Sequence, residues 1–147
     1  MEIVMFIGIQ GSGKSTFYAS YFADSHLRIN LDMLKTRHRE RTLLETCIRI
    51  GQSVVVDNTN ITSQDRSRYL AMAANSGTPV RGYYFESRVK ECLARNEARS
   101  GTKRIKEAGL LGTYGRLELP SIDEGFADLS FVRISSPGEF EILEWQP

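Results

Sequence analysis

The feature that most constrains this chain is the run GIQGSGKS at positions 8–15, which fits the pattern GxxxxGK[ST] at every fixed position. The residues before it, Ile3 to Ile7, are apolar throughout, as in a central strand that is covered on both faces. Residues from Lys14 to about Ala23 carry aromatic side chains at helical spacing. A strand, a glycine-rich turn and a helix in this order predict the opening unit of an α/β sheet.

Strands and helices alternate along the rest of the chain, which predicts an α/β fold with a parallel sheet flanked by helices. Further strands are predicted at 28–31, 53–57 and 79–85, and a closing hairpin is expected around Pro137 and Gly138. Helices are expected to end near residues 50, 77 and 99, and their expected N-terminal caps are Asp32, Thr62 and Ser87. Residues 101–120 are rich in Lys and Arg and contain four glycines, so we expect a basic lid over about 95–120 with a short helix inside it.

The length and charge limit the classes of protein that fit. A chain of 147 residues is typical of one domain, here 1–147. The formal charge is only +1, so any contact with a polyanion has to be local. No apolar run approaches the roughly 18 residues of a membrane span, so no membrane partner is expected. Cys47 and Cys92 lack metal-binding spacing and are expected to be core thiols in a reducing compartment, which favours a cytoplasmic location.

The chemistry of positions 8–16 is that of a polyphosphate site. Glycine at positions 8, 11 and 13 lets backbone N–H groups approach a phosphate closely, and the helix N-terminus adds partial positive charge. Lys14 brings a positive charge to the β and γ oxygens, and the Ser15 hydroxyl is a ligand for Mg²⁺. These features predict ATP and Mg²⁺ as cofactors. The predicted nucleotide-binding residues are Gly8, Gly11, Ser12, Gly13, Lys14, Ser15, Thr16 and, from the lid, Arg95.

A phosphate-binding loop by itself leaves kinase, ATPase, GTPase and motor functions open. The chain lacks the NKxD signature that guanine-selective GTPases carry. It is also shorter than most motor or AAA+ architectures, which need a second domain. A small kinase is therefore the default interpretation.

Polar residues follow two further predicted strands, where the ligands of an open α/β sheet collect. Asp32 follows RINL and is either a general base or a helix cap. Asp57 ends SVVV, a position that suits an acid holding Mg²⁺ or its water shell. Thr59 and Asn60 follow directly and either bind the acceptor or cap the next helix.

Arginines mark the helix that leads into the predicted lid. Arg88, Arg95 and Arg99 fall near one exposed line of that helix and run on into the basic segment 99–106. Such a row is commonly a solvated face. Supplied from a lid, the same arginines would instead neutralise the charge that builds on a phosphoryl group during transfer.

Several segments resemble the polynucleotide 5'-hydroxyl kinase family, the kinase domain of end-healing enzymes in phages and in animal DNA repair. They are GIQGSGKST at 8–16, INLDMLK at 29–35, VVVDNTNITSQDRSRY at 54–69, ARNEARSGTK at 94–103 and LPSIDEGF at 119–126. The resemblance runs from position 8 to about Gly125 and implies a P-loop kinase-like sheet.

The resemblance also implies roles for individual residues. Asp32 would be the base that accepts the hydroxyl proton, and Lys14 and Arg99 would complete the catalytic set. Lys35 stands where the family has an arginine that holds an acceptor phosphate, so the charge is kept and the bidentate geometry is lost. The implied acceptor-binding residues are Lys35, Asp57, Asn58, Thr59 and Arg66, and the implied Mg²⁺ ligands are Ser15 and Asp57.

The sequence thus favours transfer of the ATP γ-phosphate to the 5'-hydroxyl end of DNA or RNA. The local basic clusters at 35–41 and 95–106 favour a polyanionic acceptor. A small-molecule or nucleoside kinase is the alternative, since the net charge is close to zero and the chain is small. A nucleotide-binding regulator without acceptor chemistry is a third interpretation.

Overall fold

The computed structural model describes residues 1–101 and 104–146. The strands in this part of the chain are β1 (Ile3–Ile7), β2 (Leu27–Ile29), β3 (Val54–Val56), β4 (Val80–Phe85), β5 (Asp128–Ser136) and β6 (Glu139–Glu144). They form one sheet in the order β2-β3-β1-β4-β5-β6. The strands from β1 to β5 pair in parallel, and β6 pairs antiparallel with β5 as the predicted hairpin. The α/β class is confirmed, and the sheet is mixed rather than wholly parallel.

The helices between the strands begin in loops that gather at one end of the sheet. They are α1 (Lys14–Tyr21), α2 (Leu31–Leu34), α3 (Arg37–Ile50), α4 (Ser63–Ser76), α5 (Val89–Glu97) and α6 (Glu107–Arg116), with a short 3-10 helix at Ile122–Glu124. Because parallel strands point the same way, the loops that start α1, α2 and α4 all leave the carboxyl edge of the sheet.

Strand β1 is fully buried because it lies inside the sheet with helices on both faces. One set of its alternate side chains belongs to an apolar cluster with Leu44 of α3 and Tyr69 of α4. The other set, which includes Phe6, packs against α1, where the ring centroids of Phe6 and Phe17 are 5.6 Å apart. The prediction of a strand apolar on both faces is confirmed, and this rigid strand leads directly into the glycine-rich loop.

The predicted continuous helix from Asp32 to about Ile50 is wrong. Asn30 caps α2, since its side chain accepts a hydrogen bond from the Met33 N–H at 3.2 Å. The chain then turns at Lys35, whose φ is 75°, and Thr36 caps α3. Asp32 lies inside the first turn of α2 and is therefore not a helix cap.

Of the two other predicted helix caps, the one at Thr62 is confirmed and the one at Ser87 is wrong. Thr62 and Asp65 form the expected capping box at the start of α4, and Gly77 ends that helix in a left-handed conformation. Ser87 is not the cap of α5, which begins after Arg88 without a side-chain cap. The Ser87 hydroxyl instead donates to the Phe85 carbonyl at 3.1 Å, so it serves the end of β4.

The predicted lid is described only in part, because its residues 102 and 103 lie outside the described residues. The short helix expected inside it is present as α6. Asn96 of α5 holds the start of this region through two hydrogen bonds to the Ile105 backbone, at 2.7 and 2.9 Å. Closure of the segment over a nucleotide stays a prediction.

None of the helices in the described parts of the chain is both long and apolar enough to cross a membrane.

Candidate active site

A cleft lies at the carboxyl edge of the sheet, and most of the predicted site residues line it. Its inner part is a cavity of about 340 Å³, which the predicted residues Gly11, Lys14, Ser15, Asp32, Asp57, Asn58, Thr59 and Arg99 line together with residues that sequence reasoning missed. Its outer part is about 820 Å³ and adds Thr16 and Lys35. The two parts share residues such as Ser15 and Asp32, so they form one continuous cleft.

Lys14 is folded back onto the loop that precedes it. Its Nζ donates to the carbonyl oxygens of Gly8 and Ile9 at 2.8 and 2.9 Å. The pKa of this ammonium group is lowered to about 8, chiefly by burial and in part by the charge of Arg99, while the carboxylates of Asp57 and Asp32 oppose the shift. A cation with so little solvation gains strongly from a polyphosphate beside it.

Two glycines of the loop are required by its conformation as well as by the space around it. Gly11 has a φ of 79°, and a Cβ there would lie 2.6 Å from the carbonyl oxygen of Cys92 in α5. Gly13 has a φ of 96°, and a Cβ there would lie 3.0 Å from the side chains of Ile134 and Phe140 in the β5–β6 hairpin. The loop is thus held tightly between α5 and the hairpin.

Two more loop residues complete the phosphate cradle from outside the cleft. The Ser12 hydroxyl is buried and donates to the Ile9 carbonyl at 2.7 Å, which fixes the turn of the loop. Gly8 leaves β1, and a Cβ there would lie 2.9 Å from the Ser12 Oγ. Both residues therefore shape the loop rather than line the cleft.

Ser15 and Asp57, the predicted Mg²⁺ ligands, are linked by one cation. The Arg28 Nε donates to the Asp57 carboxylate at 2.7 Å, and its Nη2 donates to the Ser15 hydroxyl at 3.3 Å. Asp57 is only 2% exposed, and both ligands are hard oxygen donors of the kind that Mg²⁺ selects. The donor set therefore fits Mg²⁺. In this structure the Arg28 guanidinium lies between the two groups.

Asp32 lines both parts of the cleft and is exposed to it. Because Asn30 caps α2, the Asp32 carboxylate is not engaged with the backbone of its own helix. Asn30 is fixed in turn, since its Nδ2 donates to the Asp57 carbonyl at 2.5 Å. The structure therefore leaves the carboxylate available for a reacting group in the same cleft as Lys14.

The residues after β3 have distinct tasks. The Asn58 Oδ1 accepts from the Leu31 N–H at 2.9 Å, and its Nδ2 donates to Glu40 and Tyr69 at 2.9 and 3.1 Å. Both amide hydrogens are thereby engaged, so Asn58 positions α2. Because Asn58 also lines the cleft, its role as an acceptor ligand stays a prediction. The Thr59 carbonyl accepts from the Gly8 N–H at 3.0 Å, and Thr59 lines the cleft, so its acceptor role stays a prediction.

The structure places Arg66 away from the cleft and not in the predicted acceptor site. Arg66 is completely buried and forms an ion pair with Glu124 at 2.9 Å. Its Nη1 donates to the carbonyl oxygens of Asn60 and Glu118, both at 3.0 Å. The guanidinium therefore ties α4 to the segment after α6 and does not line the cleft.

The two arginines predicted for the lid lie in different places. Arg99 lines the cleft beside Ile105. Arg95 lies outside the cleft, where its Nη1 donates to the Gly11 carbonyl at 2.8 Å and its Nη2 pairs with Glu91 at 3.5 Å. Arg95 also borders a groove with Gly13 and Thr16, on the hairpin side of the phosphate-binding loop. Its contact with that loop is compatible with the predicted nucleotide role.

Sequence reasoning missed several residues of the cleft, and three of them are polar side chains that bear on its chemistry: Asn30, Arg28 and Arg37. Asn30 had a signal, because an asparagine at a strand-to-helix junction is as good a cap as an aspartate. For Arg28 and Arg37 the sequence carried only weak signals. Arg28 is a charged residue in a short strand, and Arg37 is one of several charged residues on a basic helix face. Their positions depend on how the ends of the strands and helices meet.

Comparison with known proteins identifies a matching family and a relative. A family model described as an AAA domain matches residues 31–120. A bifunctional polynucleotide phosphatase/kinase of Schizosaccharomyces pombe is 29% identical over 146 residues, which cover 95% of this chain and 35% of that protein. The chain thus spans about a third of that relative's length. The resemblance that the motifs indicated is confirmed.

Solved structures share the fold at low identity. Kti12 of Chaetomium thermophilum, in complex with ADP-AlF3, has a TM-score of 0.65 at 14% identity and matches 90% of this chain and 89% of its own. A sugar kinase from Janibacter sp. has a TM-score of 0.65 at 15% identity and matches 89% of this chain and 85% of its own. The P-loop kinase type of sheet is therefore confirmed, and at these identities the likeness is one of fold.

Proposed function

Since the chain belongs to the AAA domain family, whose model matches residues 31–120, we propose that it is a P-loop kinase that transfers the γ-phosphate of ATP to the 5'-hydroxyl end of a polynucleotide. The proposed cofactors are ATP and Mg²⁺.

One observation carries the proposal. Asp32, released from capping by Asn30, shares a single cleft with Lys14 and with the oxygen pair of Ser15 and Asp57. An acid that holds Mg²⁺, the role predicted for Asp57, is equally needed by a switch or a simple nucleotide sensor. An uncommitted carboxylate next to the same loop provides the base that transfer to an alcohol needs.

The loop residues act on the nucleotide. Lys14 would leave the Gly8 and Ile9 carbonyls and bind the β and γ oxygens, where its positive charge is favoured. Ser15 and Asp57 would hold Mg²⁺, which would supply positive charge to the phosphate oxygens. Arg99, which lines the cleft, stabilises the charge that grows on the phosphoryl group in the transition state.

Asp32 acts on the acceptor. The acceptor oxygen forms a bond to the γ-phosphorus, while the bond between that phosphorus and the bridging oxygen of ADP breaks. The proton of the 5'-hydroxyl passes to the Asp32 carboxylate as the new bond forms. Asn58 and Asn30 keep this carboxylate in place through the backbone of α2.

Two features support a polynucleotide as the acceptor. The relative from Schizosaccharomyces pombe, whose name includes polynucleotide kinase, aligns along 95% of this chain. The outer cleft, which Asp32 lines, also carries the cationic side chain of Lys35. Cations beside the reacting end suit the phosphates of a strand.

Incubation of the protein with γ-labelled ATP and a panel of 5'-hydroxyl oligonucleotides and nucleosides tests the proposal. We expect label on DNA or RNA ends and a rate that falls steeply as salt rises. Oligonucleotides that already carry a 5'-phosphate are the control acceptors and should stay unlabelled. Label confined to nucleosides, without a salt slope, would contradict the polynucleotide assignment.

A small-molecule or nucleoside kinase is the second candidate, and the size of the site favours it. The inner cleft is only about 340 Å³, and the whole chain has a net charge of +1. Hydrolysis of ATP with no labelled acceptor of either kind would favour the third interpretation, a nucleotide-binding regulator.

A further inference from the structure

Arg37 stands where the cleft opens into a second groove. It lines the inner cleft together with Asp32, and it also lines a cavity of about 410 Å³ between α3 and α4. Its side chain is about half exposed, so it is accessible from both sides. No other predicted or missed cleft residue borders this second cavity, which we call the α3–α4 groove.

One edge of the Arg37 guanidinium is fixed by buried groups. Its Nη1 donates to the Glu40 carboxylate at 2.8 Å and to the Tyr69 hydroxyl at 3.0 Å. Glu40 and Tyr69 are each only 2% exposed, and the Tyr69 hydroxyl donates to Glu40 at 3.0 Å. The same pair of residues holds Asn58, so the anchor of Arg37 is shared with the support of α2.

The other edge of this guanidinium is open. Within residues 1–101 and 104–146 neither Nε nor Nη2 of Arg37 makes a hydrogen bond. An arginine that is held on one edge and free on the other presents two parallel N–H groups in a fixed orientation. That geometry matches a phosphate better than a mobile lysine does.

The α3–α4 groove is lined by apolar side chains, among them Leu44 and Met72, and by three arginines and one acid. Arg68 of α4 lines it, is exposed, and makes no ion pair or hydrogen bond within the described parts of the chain. Arg41 of α3 lines it too and is paired with Glu45 at 2.9 Å. The acid that lines the groove, Glu40, is buried and paired with Arg37 through Nη1, which leaves the Nε and Nη2 edge of Arg37 open.

From these positions we propose that the acceptor strand leaves the cleft across Arg37 and follows the α3–α4 groove, with Arg37 and Arg68 each binding one of its phosphates. The inference rests on the proposed polynucleotide kinase function. It assigns the first phosphate contact to Arg37, whose guanidinium is anchored by buried groups. Lys35, which lies on the outer cleft at the turn between α2 and α3, is then not the first contact. The strand path then explains how a small cleft accepts a long polymer.

Acceptor length distinguishes the two arginines. KM and kcat would be measured for 5'-hydroxyl acceptors from a nucleoside 3'-phosphate to a decanucleotide. Arg37→Ala should raise the KM of the decanucleotide about tenfold with little change in kcat, because a charge-assisted contact to the bound strand is lost. Arg68→Ala should raise the KM of the decanucleotide and leave that of the nucleoside 3'-phosphate unchanged.

Arg49→Ala is the matched control, since Arg49 is exposed on α3 and lines none of these cavities. Its constants should equal those of the unaltered protein. If Arg37→Ala and Arg68→Ala both match Arg49→Ala with the decanucleotide, the strand path is wrong.

A change in the substrate separates direct contact from loss of support for α2. Decanucleotides with one neutral methylphosphonate linkage at a time should bind more weakly to the unaltered protein when the first linkages are neutral. Neutralising the same linkages should weaken binding to Arg37→Ala much less, because the contact is already missing. Equal costs in both proteins would overturn the inference. Absence of any polynucleotide phosphorylation by the unaltered protein would overturn the proposed function and this inference with it.

Discussion

Asp32 shares the cleft with two other carboxylates, and the three differ in what they bind. Asp57 accepts from Arg28, and Asp65 accepts from the Thr62 N–H at 3.4 Å. Asp32 accepts no hydrogen bond within residues 1–101 and 104–146. Of these acids it is therefore the one that a substrate hydroxyl can engage without displacing a protein contact.

Asp32→Asn should lower kcat by about 10² or more, because the amide cannot accept the proton of the acceptor hydroxyl. The affinity for ATP should change little, since Lys14 and the loop are untouched. Asp24→Asn, the same change at an exposed acid outside the cleft, is the control. Single-turnover rates and an ATP titration check both points. A rate close to that of the unaltered protein would show that Asp32 is not the base.

The low pKa of Lys14 makes ATP binding depend on pH. In the free protein this pKa is about 8, so roughly half of the lysine is uncharged at that pH. Bound phosphates favour the charged form and raise the pKa, so binding at pH 8 should take up about half a proton, and affinity should fall as pH rises above 8. Calorimetry in two buffers of different ionisation enthalpy measures the uptake. Lys14→Met should bind weakly without it, and equal heats in both buffers for the unaltered protein would contradict the prediction.

At the scale of elements, the site depends on the break between α2 and α3. The four-residue helix α2 carries Asp32 and is fastened at its start by Asn30 and Asn58. Lys35 adopts a φ of 75° to end it, and Thr36 starts α3 in a new direction. A short helix held in this way orients its one carboxylate more firmly than a loop does.

Asn30→Ala should disturb catalysis more than stability. The loss of a helix cap costs about 1 kcal/mol, but α2 also loses the link to the Asp57 carbonyl. We expect kcat to fall and the dissociation constant of ATP to stay the same. Thr62→Ala removes the cap of α4 at a similar cost in unfolding free energy, and it should leave kcat unchanged. Equal kinetic effects of the two variants would show that α2 needs no such fastening.

Local signals predicted the elements whose formation is local. The apolar run of β1, the capping box at Thr62 and the left-handed glycines that end α3 and α4 are properties of short segments, and they were predicted from the sequence. The break at Lys35 was not, because a positive φ at a non-glycine residue is imposed by tertiary contacts. Arg66 was misplaced for the same reason, since its partner Glu124 lies 58 residues further along the chain.

At the scale of the whole molecule, the carboxyl edge of the sheet concentrates charge that must be balanced. Asp57 is buried at the end of β3, and Arg28 reaches it from the neighbouring β2 while also contacting Ser15 at the start of α1. The arginine thus links the ends of β2 and β3 to the start of α1. Mg²⁺ between the same oxygens would supply the same neutralisation.

Arg28→Ala should therefore destabilise the free protein and be partly rescued by Mg²⁺ with ADP. Removing the partner of a buried carboxylate costs about 1–3 kcal/mol, and a domain of this size loses about 2–4 °C in Tm for each kcal/mol. Because the ion provides Asp57 with a new cation, the difference in Tm from the unaltered protein should narrow when Mg²⁺ and ADP are added. Arg66→Ala also breaks a buried ion pair, with Glu124 and away from the cleft, so its difference in Tm should stay constant. Thermal unfolding with and without Mg²⁺ and ADP measures both, and a constant or wider difference for Arg28→Ala would refute the shared cation position.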